Sequence, residues 1–317
     1  MPSLEELAKG TVAATAGIST IDVTNPSHYG LSYHDLELQA EDGVKLRCYL
    51  MVQAKDIPQP SATKVPDRCK DYSDEQYAAE CPTVLMFHGN GGNIGHRIPL
   101  AKVFFVNFRC NVLMVSYRGY GLSEGSPSEK GIKMDAQCAL DYVKSHPTLS
   151  QGPTLLYGQS IGGAVSIDLA SRNPLGINAL ILENTFLSLP RLVPSALPVL
   201  GPFAFLCHQK WDSASKIPLI PRSIPILMLS GLQDEVVPKE HMQGLWEIVD
   251  KRENNVIPSA ESVDKARVAA VDPRSLSKIV LFEKGTHNDT CVQQGYWTTI
   301  AAFVANFIPQ DAPTGQT

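Results

Sequence analysis

Six short apolar runs recur from residue 83 onward, at Thr83–Phe87, 112–116, 154–157, 179–182, 226–229 and 279–282, each separated from the next by a stretch long enough for a helix. Both faces of every run are hydrophobic, which is what a strand needs when it is covered on two sides. Strand and helix in alternation predict an α/β fold, a mostly parallel sheet flanked by helices. Ahead of them, 35–39 alternates apolar and polar residues, Asp42-Gly43 is a hairpin turn signal and 45–52 resumes strand character, so the sheet opens antiparallel. Ser126-Pro127-Ser128-Glu129 reads as an N-cap, a proline in the first turn and a capping-box glutamate, starting a helix that runs to about Ser145. The polar segments 53–80 and 251–275 lack period and read as excursion loops.

With 317 residues, 44% of them apolar and 19% charged, the chain can bury a full core, and neither disorder nor a collagen-like repeat fits. The net charge of -5 and the lack of any long basic run exclude a nucleic-acid binder that works by neutralising phosphates. Seven cysteines leave at least one thiol free; Cys69 and Cys81 could pair, and the preferred reading is reduced thiols in an intracellular protein. Residues 1–25 read as an N-terminal extension without a secretory signal or an apolar stretch long enough to span a bilayer, so the expected location is cytoplasmic. The sequon Asn288-Asp289-Thr290 falls in an expected catalytic loop, where a glycan would obstruct the site.

Gly158-Gln159-Ser160-Ile161-Gly162 matches G-x-S-x-G, preceded by a strand and followed by 161–172, with Ala164, Val165 and Leu169 on one helical face. Strand, sharp turn and helix are the context of a nucleophile elbow, and make Ser160 the candidate nucleophile of an α/β-hydrolase fold. A serine hydroxyl needs a base oriented by an acid. His287, in the loop after 279–282, is the expected base; His241, inside a helical stretch, reads as a surface residue. Asp234, in the loop after 226–229, is the expected acid, with Glu235 as its rival. The oxyanion donors are assigned to the backbone N–H of Asn90 or Gly91, in His88-Gly89-Asn90-Gly91-Gly92-Asn93, together with that of Ile161. Residues 186–222 carry six prolines and read as a lid, with Leu187, Leu192, Phe203, Phe205 and Trp211 shaping an acyl pocket. No metal-binding motif is present, and the serine at the elbow argues against the dehalogenase and epoxide-hydrolase variants, which attack with aspartate.

Four separated motifs, His88 to Asn93, Arg118-Gly119-Tyr120-Gly121-Leu122-Ser123-Glu124-Gly125, Glu183-Asn184-Thr185-Phe186 and Gly285-Thr286-His287-Asn288-Asp289, resemble in order those of the fungal bud-emergence serine hydrolases and their animal α/β-hydrolase-domain relatives. The resemblance spans about Pro26 to Phe307. It implies one domain over 26–317 with an eight-stranded sheet, a Ser160, Asp234 and His287 triad, and no cofactor. It also implies membrane association at the endoplasmic reticulum or plasma membrane, although the first 47 residues lack the cysteine cluster of the depalmitoylating branch. The expected activity is hydrolysis of carboxylic esters or thioesters of a small or lipid-like acyl substrate through an acyl-enzyme. A serine peptidase on the same triad and a catalytically silent scaffold in cell polarity are the alternatives.

Overall fold

The computed structural model describes residues 24–57, 69–196, 207–254 and 276–308. Eight strands form one sheet: β1 (His34–Gln39), β2 (Lys45–Met51), β3 (Thr83–Phe87), β4 (Asn111–Val115), β5 (Thr154–Gln159), β6 (Ala179–Glu183), β7 (Ile226–Gly231) and β8 (Lys278–Phe282). Their order is β1-β2-β4-β3-β5-β6-β7-β8, and β2 is antiparallel to both of its neighbours. All pairings from β3 onward are parallel. Eight helices accompany the strands among the described residues: α1 (Asp74–Glu80), α2 (Ile98–Lys102), α3 (Glu129–Ser145), α4 (Ile161–Arg172), α5 (Leu189–Ala196), α6 (Ser213–Lys216), α7 (Lys239–Asn254) and α8 (Tyr296–Val304).

The strand pleat sorts side chains into two cores. Leu85 and Phe87 of β3 pack with Ile132 and Ala136 of α3, Val165 and Leu169 of α4 and Leu245 of α7. Val84 and Met86 face the other way, into a core with Ile98 of α2, Phe104, and Trp297 and Ile300 of α8. Burying such a side chain stabilises by about 1.5–3 kcal/mol, so the apolar runs are fixed in the centre of the sheet. Two strands outrun their hydrophobic stretches: β5 continues through Gly158-Gln159 and β7 through Ser230-Gly231. Backbone pairing carries them on, with Gln159 opposite Glu183 and Gly231 opposite Phe282.

The start of α3 corrects the sequence reading. Ser128, not Ser126, is the N-cap, its side chain accepting from the Gly131 N–H. Glu129 closes no capping box; its carboxylate accepts from the Lys210 and Trp211 N–H groups and from Lys133 Nζ, tying α3 to the segment ahead of α6. Of the expected lid, 197–206 lies outside the described residues. Cys69 and Cys81 share a small buried cluster with Tyr77 and are not joined in a disulfide. Among the described residues, no helix is long and apolar enough to cross a membrane.

Candidate active site

The carboxyl ends of β3, β5, β7 and β8 converge on one point. Between β5 and α4 the chain turns at Ser160, whose φ of 56° and ψ of -121° lie outside the regions L-residues ordinarily occupy. Holding a residue there costs on the order of 1–3 kcal/mol, and its surroundings enforce it. The Ser160 N–H donates to Glu183 O at 2.9 Å, and Thr185 Oγ1 donates to Ser160 O at 2.7 Å. The flanking glycines are obligatory for another reason. A Cβ on Gly162 would sit 2.0 Å from Phe87 O, and one on Gly158 would sit 2.2 Å from Gly162 O.

Ser160, His287, Asn90, Gly91 and Arg97 are among the residues that line one cavity of about 320 Å³. The Ser160 hydroxyl makes no hydrogen bond to any described residue, His287 included; the two share the cavity wall without being joined. His287 Nδ1 lies 2.8 Å from Asp234 Oδ2. Asp234 Oδ1 accepts from the backbone N–H groups of Val236, at 2.9 Å, and Val237, at 2.7 Å. Every one of these partners is a donor, the surroundings a carboxylate requires. With Nδ1–H given to Asp234, His287 Nε2 is left as the acceptor. Glu235, the rival acid, accepts instead from the His287 backbone N–H at 3.3 Å. The backbone N–H groups of Asn90 and Ile161 donate to no described residue, as an oxyanion site requires. The Asn90 side chain accepts from Tyr120 O–H at 2.6 Å. His88 packs against the Tyr117 ring, 4.4 Å between centroids, and burial pushes its pKa down to about 4, so it enters this wall neutral.

The Arg118 motif supports that wall. Its guanidinium bridges Asp42, at 2.7 and 3.0 Å, and the fully buried Asp135, at 2.9 Å. This clamp fixes the loop that carries Tyr120.

Other expectations fare differently. His241 is buried, not a surface residue: its Nδ1 accepts from the Leu187 N–H at 3.3 Å, because the start of α7 tucks beneath the segment leading into α5. Burial lowers its pKa. Leu187, Leu192 and Trp211 pack against the core shared with α3, α4 and α7, and none of them lines the Ser160 cavity. Phe203 and Phe205 lie outside the described residues.

Three neighbours of the site were not assigned a role from sequence. Asn184, at φ 45°, staples the strand ends: its Nδ2 donates to Thr286 O at 3.1 Å, His287 O at 3.2 Å and Thr290 Oγ1 at 3.0 Å, while its Oδ1 accepts from the Gly231 N–H at 2.9 Å. Gln159 Nε2 adds a bond to His287 O at 3.2 Å. Glu183 is fully buried, accepting from the Tyr157 hydroxyl at 2.5 Å and from that of Tyr296. The one sequence signal was an acid closing the otherwise apolar strand Ala179-Leu180-Ile181-Leu182-Glu183.

Comparison with known proteins agrees with this architecture. A family model described as the alpha/beta hydrolase fold matches residues 82–204. The protein Bem46 of Schizosaccharomyces pombe is 39% identical over 285 residues, covering 90% of this chain and 80% of its own. A Saccharomyces cerevisiae protein named as the uncharacterized membrane protein YNL320W is 36% identical, covering 89% of this chain and 83% of its own. Among solved structures, the Pyrococcus furiosus esterase Pf2001 superposes with a TM-score of 0.64 at 16% identity, covering 92% of this chain and all of that one, a likeness of fold alone. Sequence, sheet order and elbow together establish that the chain belongs to the α/β-hydrolase family, in the group that includes Bem46.

Proposed function

We propose that this protein is a serine hydrolase that cleaves carboxylic esters or thioesters through an acyl-enzyme. The observation that carries the reading is the 2.8 Å contact of His287 Nδ1 with Asp234, on the wall of the cavity into which the strained elbow lifts Ser160. Ser160 Oγ attacks the acyl carbonyl carbon as His287 Nε2 takes its proton. The oxygen that becomes negative is received by the Asn90 and Ile161 N–H groups, where one donor of this kind is worth about 10²–10³ in rate. The imidazolium, stabilised by Asp234, returns the proton to the leaving alcohol or thiol as the tetrahedral intermediate collapses. Water activated by the same imidazole then releases the acid. Asp234 accepts no proton in this scheme; it holds the tautomer and the orientation.

The acyl group would be small or lipid-like, and the reaction needs no cofactor. Turnover of p-nitrophenyl esters of graded acyl length by the wild-type protein and by Ser160→Ala tests the reading. Hydrolysis that is lost in the variant is expected. Hydrolysis of none of the series by wild type, or equal hydrolysis by Ser160→Ala, contradicts it.

A further inference from the structure

Arg97 is a buried cation with no anion of its own. It is 7% exposed, yet among the described residues it forms no hydrogen bond and no ion pair within 4 Å. A guanidinium is always charged and strongly hydrated in water, so enclosing one without acceptors is costly unless something supplies them. The nearby buried acid does not. Glu183 attracts Arg97 at long range, but its oxygens are taken up by Tyr157, Tyr296 and Gln159. Arg97 Nε and Gln159 Oε1 are both buried without partners. Of the guanidinium, only Nε is sealed off in this way; the terminal nitrogens are not, and Arg97 lines the Ser160 cavity, from which an acceptor can reach them.

One of those nitrogens lies near the elbow. Arg97 Nη2 is 3.8 Å from where a Cβ on Gly89 would lie, and Ser160 Cβ is 3.6 Å from the same point. Next to it on the cavity wall, His96 Nδ1 accepts from the Asn93 N–H at 3.0 Å, so its Nε2 carries the hydrogen, and that donor is also buried without a partner. Arg97 and His96, each with a buried N–H that lacks an acceptor, thus line the cavity that also holds Ser160.

We propose that Arg97, with His96 beside it, binds an anionic group carried by the substrate close to the scissile bond, a carboxylate or a phosphate, making this a hydrolase selective for negatively charged acyl esters. The inference rests on the serine-hydrolase reading and names the substrate class for that site. Arg97 is a specificity determinant here, not a participant in proton transfer.

Two matched pairs test it and separate the two sources of charge. The first is mono-p-nitrophenyl glutarate against its methyl-capped neutral counterpart. The second is 1-butyryl-glycerol-3-phosphate against 1-butyrylglycerol. The quantity read is the ratio of kcat/KM, charged over neutral, which does not depend on how much of a variant is folded. Arg97→Gln is expected to lower that ratio at least about tenfold in one pair or both, and Arg97→Lys to restore part of it. Raising the salt concentration should lower the ratio for wild type more than for Arg97→Gln. A ratio unchanged by Arg97→Gln in both pairs overturns the proposal, even if both rates fall together.

Where no ester turns over, the thermal shift of the Ser160→Ala protein with glutarate and with glycerol phosphate decides instead. Stabilisation that disappears when Arg97→Gln is added supports the anion site. The same melting temperature with and without either anion overturns it. Turnover of the neutral esters that is lost in Ser160→Ala keeps the hydrolase reading intact whichever way Arg97 falls.

Discussion

Two buried carboxylates stand at the ends of neighbouring strands, and they are treated in opposite ways. Asp234, just past β7, is met by two backbone N–H groups and an imidazole nitrogen, and opens through His287 onto the cavity. Glu183, the last residue of β6, is met by two phenols and an amide and does not line the Ser160 cavity. Burial raises the Glu183 pKa, against the pull of the two hydroxyls. Backbone donors cannot be lost to a rotamer change, so Asp234 is oriented as well as solvated; the phenols belong to β5 and α8 and make Glu183 a rivet between those elements. Full burial, then, does not mark the proposed catalytic acid. What distinguishes it is a fixed donor shell that leaves one face turned to a base.

The comparison breaks most visibly at Asp234. Asp234→Asn should keep the fold, since an amide oxygen still accepts from Val236 and Val237, yet lower kcat by about 10⁴ because the imidazole loses its tautomer; ester turnover and melting temperature measured together check both halves. Asn184→Ala should fall between the two carboxylates. Leaving the Gly231 N–H unpaired and the His287 loop unstapled is expected to cost about 1–3 kcal/mol of stability. A rate loss of about 10–100-fold should accompany it, because small displacements of a base are expensive.

Glu183→Gln should barely change kcat at neutral pH but should alter the pH dependence of stability. A carboxyl whose folded pKa is raised holds its proton better in the folded than in the unfolded state. Its contribution is therefore fully present below the ordinary glutamate range and is lost as pH rises through the folded value. Relative to wild type, the Gln variant should gain on the order of a few °C in melting temperature on going from acid to neutral pH; a difference that stays constant with pH would show that Glu183 does not titrate across that window. Tyr296→Phe is expected to have the smallest effect, about 1 kcal/mol by thermal melts and no change in the pH-rate profile, since Tyr157 remains as donor.

Much of this arrangement is legible in the amino-acid sequence, and the reason is physical. A strand covered on both faces has to be apolar throughout, so 83–87 and its successors declare themselves, and the tight elbow leaves Gly158 and Gly162 no substitute. Chain order then directs attention to Asp234 and His287, in loops after the next strands. What is not legible depends on contacts across the sheet. Nothing local distinguishes Asn184 from an ordinary turn asparagine until the ends of β7 and β8 are beside it. His241 reads as solvent-facing because its helix is polar overall, and only the segment around Leu187 buries it. Ser126 and Ser128 present the same cap chemistry two residues apart, and Glu129 is claimed by the chain ahead of α6 instead of by its own cap. Nothing in the sequence singles out Arg97; its burial and its unpartnered Nε appear only in the fold.

The most direct test of the account is fluorophosphonate labelling followed by peptide mapping of wild type, Ser160→Ala and His287→Ala. A single adduct is expected on the peptide containing Ser160, absent from Ser160→Ala and slowed by orders of magnitude in His287→Ala. Undiminished labelling of Ser160→Ala, or an adduct on any other residue, would contradict it.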